Sequence, residues 1–163
     1  MWAVGAYNQS MTIYIGADHG GYDYKQHLIE VLTAEGHELH DCGTSSHDST
    51  DYPLYAAQLT VAVAADPATR GVLVCRSGEG MEMAANKAKG IRAALVWEKT
   101  VAAETRRDND ANVVVLPADF ISETTAADLV RVFLATSFSG EERHIRRIKE
   151  LHALEGTQYI PTV

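Results

Sequence analysis

The feature that most constrains this chain is a repeated exchange between two periodicities. Short runs of β-branched and aliphatic residues alternate with longer segments whose apolar residues recur at helical spacing. TIYIGA (12–17) reads as a strand, followed by an amphipathic helix over 22–35 that stops at Gly36. ELHDCG reads as a second strand. Pro53 then opens a helix through Ala65, with Pro67 just beyond its end. GVLVC (71–75) is a third strand, and a glycine turn leads from it into the helix MEMAANKAK, ending at Gly90. IRAALVW and NVVVLP read as strands four and five, with the helix VAAETRR between them. Segments 122–133 and 140–154 read as two further helices.

Strands separated by helices imply βαβ units and a parallel sheet. Three of the strands are apolar throughout rather than alternating, as expected when helices cover both faces. The pattern predicts a five-stranded, doubly wound (Rossmann-like) α/β domain with helices on both faces and a C-terminal helix. Its 163 residues suit one domain, expected over 11–163. Residues 1–10 read as an N-terminal extension, with Met11 as the natural start.

Charge and cysteine content narrow the partners. Lys and Arg number 14 against 22 Asp and Glu, a net charge of -8. Such a surface repels phosphate backbones and anionic lipid, so neither nucleic acid nor membrane is expected as a partner. No apolar run reaches the ~18–20 residues of a membrane span, and MWAVGAYNQS lacks the pattern of a signal peptide. Two cysteines, Cys42 and Cys75, are too few for a disulfide framework, so a reduced, cytoplasmic protein is the expectation.

In open parallel sheets, ligands bind at the C-terminal ends of the strands. That rule selects the loops beginning Ala17-Asp18-His19-Gly20-Gly21, Cys75-Arg76-Ser77-Gly78-Glu79-Gly80 and Pro117-Ala118-Asp119. In the second, a thiol ends a buried strand and Ser-Gly-x-Gly leads directly into a helix. Backbone amides turned inward there suit a phosphate or enediolate oxygen, and they are expected to draw Cys75 toward a thiolate. A buried structural cysteine beside a helix start has the same pattern. Asp18 and His19 offer a carboxylate and an imidazole on that edge, and equally suit a turn or helix cap. Arg143 and Arg147, four apart in EERHIRRIK, put two guanidinium forks on one helix face, expected to share the edge of His19. The alternative is a solvated basic helix end. Thr105 to Asn112 is dense in carboxamides and carboxylates, or is a helix stop. His37, His40, Cys42 and His47 match no zinc spacing and read as surface residues. A dinucleotide fingerprint fails, because Met83 stands where its last glycine is required. No Walker pattern is present.

GADHGGYDYK, DCGT, TDYP, C-x-S-G-x-G joined to AANKAKGIRA, R-x-N-D-x-N and ERHIRRI, in that order, resemble ribose-5-phosphate isomerase B and the related galactose-6-phosphate and allose-6-phosphate isomerases. The resemblance covers Met11 to about Leu154. It implies a homodimer, often paired further into a tetramer, with active sites at the subunit interface and no metal or organic cofactor. It implies aldose–ketose isomerisation of a small phosphorylated sugar through a cis-enediolate, with D-ribose 5-phosphate to D-ribulose 5-phosphate as the default. By position, Cys75 is the base, which other members replace by a glutamate where this chain has Met81. Ser77 and the amides of Gly78, Glu79 and Gly80 hold the enediolate, and Asp18 contacts the sugar near the reacting carbons. His19, Arg143 and Arg147 take the phosphate, while Tyr52 and Asn109 line the site.

Three positions depart from that pattern. Asp108 stands where the family has a ring-opening histidine, and Asp119 where it has a phosphate-binding arginine. Arg76 stands beside the base where glycine is common, and offers a replacement positive charge from another direction. The alternatives are an isomerase of another phosphosugar (a tetrose or tetrulose phosphate, or allose 6-phosphate), a metal-dependent isomerase, or a non-catalytic sugar-phosphate-binding protein.

Overall fold

In the computed structural model, residues 10–156 are described, so nearly all of the expected N-terminal extension lies outside them. Five strands form one parallel sheet: Thr12–Ala17 (β1), Glu38–Asp41 (β2), Arg70–Cys75 (β3), Ala93–Leu95 (β4) and Val113–Pro117 (β5). Their order is β2-β1-β3-β5-β4. The helices are Tyr22–Ala34 (α1), Tyr52–Ala65 (α2), Glu79–Ala85 (α3), Lys99–Asn109 (α4), Glu123–Ala135 (α5) and Glu142–Ala153 (α6).

The continuous apolar runs are explained by two cores, one on each face. Val72 and Val74 of β3, with Val114 and Leu116 of β5, pack against Leu28 and Leu32 of α1 and Leu129 and Phe133 of α5. Leu73 and Cys75, with Val113 and Val115, pack against Leu59 of α2 and Met81 of α3. Strand alternation therefore sends the Cys75 side chain to the α2–α3 face, beneath the start of α3. The chain turns to one side after β1 and to the other after β3. The C-terminal ends of these neighbours form the crevice where such sheets bind ligands.

The third helix and the fourth strand come out shorter than the pattern predicts. The third helix stops at Ala85 because the Asn86 side chain leaves the helical path and clamps Ala93, donating to its carbonyl and accepting from its amide, both at 2.9 Å. The fourth strand shrinks to Ala93–Leu95.

The course of α4 decides where half of the expected site lies. It runs back from the end of β4 and finishes beside the start of that strand, where Arg92 Nε donates to the Asn109 carbonyl (3.0 Å). Helix α6 crosses the same N-terminal edge, with His152 against Arg92 (3.0 Å) and Glu155 accepting from the Gly90 amide (2.9 Å).

Candidate active site

The turn after β1 is built by Asp18. Its Oδ1 accepts from the amides of Gly20 (2.9 Å) and Gly21 (3.2 Å), capping the 3-10 turn His19–Gly21. The capping alternative is therefore real for Asp18, which stands at the C-terminal end of β1, on the ligand edge. A β-carbon at Gly21 would meet the Val74 carbonyl oxygen at 2.5 Å, so only glycine lets this turn lie on β3. His19 Nδ1 accepts from the Thr50 amide (3.3 Å). A neutral His19 thus carries its proton on Nε2.

Beside this turn, β3 ends in Cys75, which is 5% exposed. Gly78 takes a φ of 82° to start α3, with Leu95 filling the space a β-carbon would need. Backbone amides of Met81, Gly78 and Ser77 point to the thiol and favour its ionised form, as the glycine turn suggested. Burial outweighs them. The net effect is to push the Cys75 thiol up from its ordinary value, and the nearby Asp18 carboxylate adds to the rise. The expected thiolate is therefore not the resting form, because the strand end that positions the sulfur also removes its water. The Tyr52 ring packs on Gly80, where a β-carbon would stand 2.9 Å from its Cζ. Glu79 is exposed at the first turn of α3.

Arg76 is exposed, and it is not free. Its Nε donates to Asp119 Oδ2 (2.9 Å), so the two departures from the family pattern on this edge are bonded to each other.

The other predicted residues lie elsewhere in the subunit. Asp108, Asn109, Arg143 and Arg147 stand at the opposite edge, because α4 runs antiparallel to the strands and α6 packs on its far end. This corrects the expectation that the arginines share an edge with His19. From Gly71 to Cys75 alone, β3 rises about 13 Å. Asp108 accepts from Arg107 Nε (2.8 Å), and that bond, helped by His144 and Arg143, holds its carboxyl below the usual range. Arg143 bonds Glu141 (2.8 Å), while Arg147 is exposed. A cavity of about 520 Å³ at this edge is lined by Asn109, Arg92, Ile91, Leu151 and His152 among others, away from Cys75.

Several of the suspected polar residues serve the fold. Asn112 pins the turn before β4 by accepting from the Arg92 amide (2.8 Å) and donating to the Gly90 carbonyl (2.8 Å). Asp110, at φ 45°, bonds both Arg92 and Arg106. His40 stacks on Tyr14 and His47 bonds Asp23. No group of three His, Cys, Asp or Glu among the described residues is arranged to hold a metal.

Residues not anticipated from sequence also shape the site. Lys25 is fully buried, pairs with Asp41, and packs against Gly43 in the loop after β2. Its spacing with Leu28 and Leu32 marks the inward helix face and was the available signal. Buried His144, in register with Ile148 and Leu151, bonds Ser139 (2.8 Å) and faces Asp108 (3.9 Å). The Thr50 contact uses a backbone amide and has no sequence signal.

Residues 13–151 match the family model described as Ribose/Galactose Isomerase. The chain is similar to ribose-5-phosphate isomerase B of Mycobacterium tuberculosis, 38% identical over 154 residues, covering 94% of this chain and 95% of that protein. The Escherichia coli protein of the same name is 36% identical over 143 residues, 88% of this chain and 95% of its own. A crystal structure of a ribose 5-phosphate isomerase from Thermotoga maritima superposes with a TM-score of 0.86 at 38% identity, covering 90% of this chain and 100% of that one.

Proposed function

Because the chain belongs to the ribose/galactose isomerase family, we propose that it interconverts an aldose and a ketose phosphate through a cis-enediolate, with D-ribose 5-phosphate and D-ribulose 5-phosphate as the pair. The observation that carries this reading is the seat of Cys75. A thiol at a strand end, ringed by the amides of Ser77, Gly78 and Met81, stands beside the Asp18 turn in the crevice between β1 and β3.

The ionised Cys75 removes the proton on C2 of the open-chain aldose. Negative charge moves to the oxygen on C1, where the amides of the 77–80 turn and the Ser77 hydroxyl bind it. The thiol then returns the proton to C1 while the C2 hydroxyl passes its own to the oxygen on C1, leaving the ketose and the ionised thiol. Asp18 Oδ2 orients the hydroxyls near these carbons, and Tyr52 walls the site. A neutral His19 offers Nε2–H to the phosphate. Glu82, by contrast, is occupied in accepting from the Leu95 amide (3.0 Å) and serves the fold.

The phosphate and ring-opening groups at the other edge reach the site from a second copy. The working unit is a homodimer in which Asp108, Asn109, Arg143 and Arg147 of one subunit close the Cys75 edge of its partner. Exposed Leu54 and Val61 on α2, and Ile145 and Leu151 on α6, support such an assembly. The cytoplasm suits its two unpaired thiols.

One observation favours a second substrate. Arg107 keeps Asp108 ionised, and an ionised carboxylate cannot donate the proton that opening a furanose ring requires. A four-carbon sugar phosphorylated on its terminal oxygen cannot close that ring and needs no opener. The test is a panel of four-, five- and six-carbon aldose and ketose phosphates in deuterated water, before and after chelation. An isomerase washes solvent deuterium into product and recovered substrate. A sugar-phosphate binder incorporates none, and loss of activity on chelation would mark a metal-dependent enzyme.

A further inference from the structure

The loops that follow β1, β3 and β5 surround Cys75, and Arg76 is the only lysine or arginine within 18–21, 76–78 and 118–122. The same loops carry Asp18 and Asp119, and Glu79 opens α3. From the loops of this subunit alone, a dianionic substrate approaching this edge would meet a surplus of negative charge unless one cation were aimed at it.

Arg76 is held in that position from both sides. Its Cγ lies 2.3 Å from where a β-carbon on Gly20 would stand, so its stem lies against the turn after β1. At the far side its Nε donates to Asp119 Oδ2 (2.9 Å), and the Asp119 amide donates back to the Arg76 carbonyl (2.9 Å). The side chain thus spans the mouth of the crevice. With side chains 69% and 44% exposed, the pair contributes little to stability. Its consequence is geometric. One of five guanidinium N–H groups is engaged, and the four on Nη1 and Nη2 remain as the planar fork that fits two phosphate oxygens.

We infer that Arg76 is the anion-binding arm of this edge, a specificity-determining residue that grips the phosphate monoester of the substrate, and that Asp119 is its positioning residue. The inference rests on the isomerase reading above. It makes the two departures beside the base and after the fifth strand a single unit. The arginine absent from the β5 loop is supplied by the β3 loop and anchored to the place it left.

The test uses the full protein, with inorganic phosphate as the calorimetric probe and KM and kcat for D-ribose 5-phosphate measured in parallel. Arg76→Gln weakens phosphate binding about tenfold or more and raises KM in proportion, with a smaller loss in kcat. Asp119→Asn, which releases Arg76 without removing it, weakens both by a smaller factor. Arg76→Gln combined with Asp119→Arg returns an arginine to the β5 loop and recovers most of the lost affinity. Unchanged phosphate affinity in Arg76→Gln overturns the inference. So does a loss confined to kcat, which would put the guanidinium at the reacting carbons. A double variant no better than Arg76→Gln removes the link between the two positions. A parent protein that binds phosphate through Arg76 yet isomerises no sugar phosphate overturns the isomerase reading and leaves Arg76 as an anion site.

Discussion

The two edges of the sheet solve different problems with different materials. At the C-terminal edge, position is set by backbone: Asp18 caps its turn, Gly21 lies on Val74, and three amides converge on a buried thiol. At the N-terminal edge, position is set by side chains on helix surfaces, with Asp108 on Arg107, Arg143 on Glu141, and Arg147 exposed. Proton transfer needs geometry good to a fraction of an ångström, which a strand end and a tight turn provide. Gripping a phosphate needs charge and reach, which arginines on an exposed helix provide. On the proposed assignment, neither edge holds the whole set of groups, and that is the physical case for pairing two copies.

The sharpest way to break this comparison is to remove the group that only the buried edge can supply. Cys75→Ala should lower isomerisation by about 10²–10⁴-fold, the usual contribution of a general base. Turnover close to that of the parent would move the role to Glu79. Cys42→Ser should retain turnover, since that thiol lies outside the crevice.

The pH profile reads the same edge without mutation. Only the ionised thiol accepts a proton, and burial raises the Cys75 pKa, so the deprotonated fraction grows through the alkaline range. kcat/KM should climb about tenfold per pH unit until that pKa is reached. A profile already flat at neutral pH would mean a pre-formed thiolate, or another base.

The exposed edge is tested by Arg147→Ala, expected to raise KM about tenfold through loss of a charge-assisted bond. Mixing this variant with Cys75→Ala sharpens the point. If the edges meet across a dimer, half the pairs are mixed and each holds one intact site, restoring about a quarter of parental activity. Failure of a re-equilibrated mixture to recover activity would place both edges in one subunit.

Asp108→His carries the smallest expected effect. A histidine there should raise kcat/KM for D-ribose 5-phosphate a few-fold and leave tetrose phosphates unchanged, because its pKa of ~6.5 allows it to donate as well as accept. A parent that strongly prefers ribose 5-phosphate, with no gain in the variant, would dispose of the four-carbon reading.

Much of the molecule is legible along the chain because local structure depends on neighbours a few residues away. The strand TIYIGA, the helix from Tyr22, the glycine turn after Cys75 and the C-terminal-edge rule together pointed to the crevice between β1 and β3, where Cys75 stands beside the Asp18 turn. Asn86 shows where local reading stops, since its helix ends for a bond made to Ala93 across a turn.

By itself, then, the sequence determined the parallel α/β order and the placing of Cys75 at a strand end, both consequences of short-range periodicity. Tertiary structure alone decided whether that thiol rests protonated, because desolvation depends on what α2 and α3 lay over it. It decided that Arg76 and Asp119, 43 positions apart, share a bond, and that α4 carries Asp108 to the far edge. Pairings of that kind arise from packing between elements, and no spacing along one element encodes them.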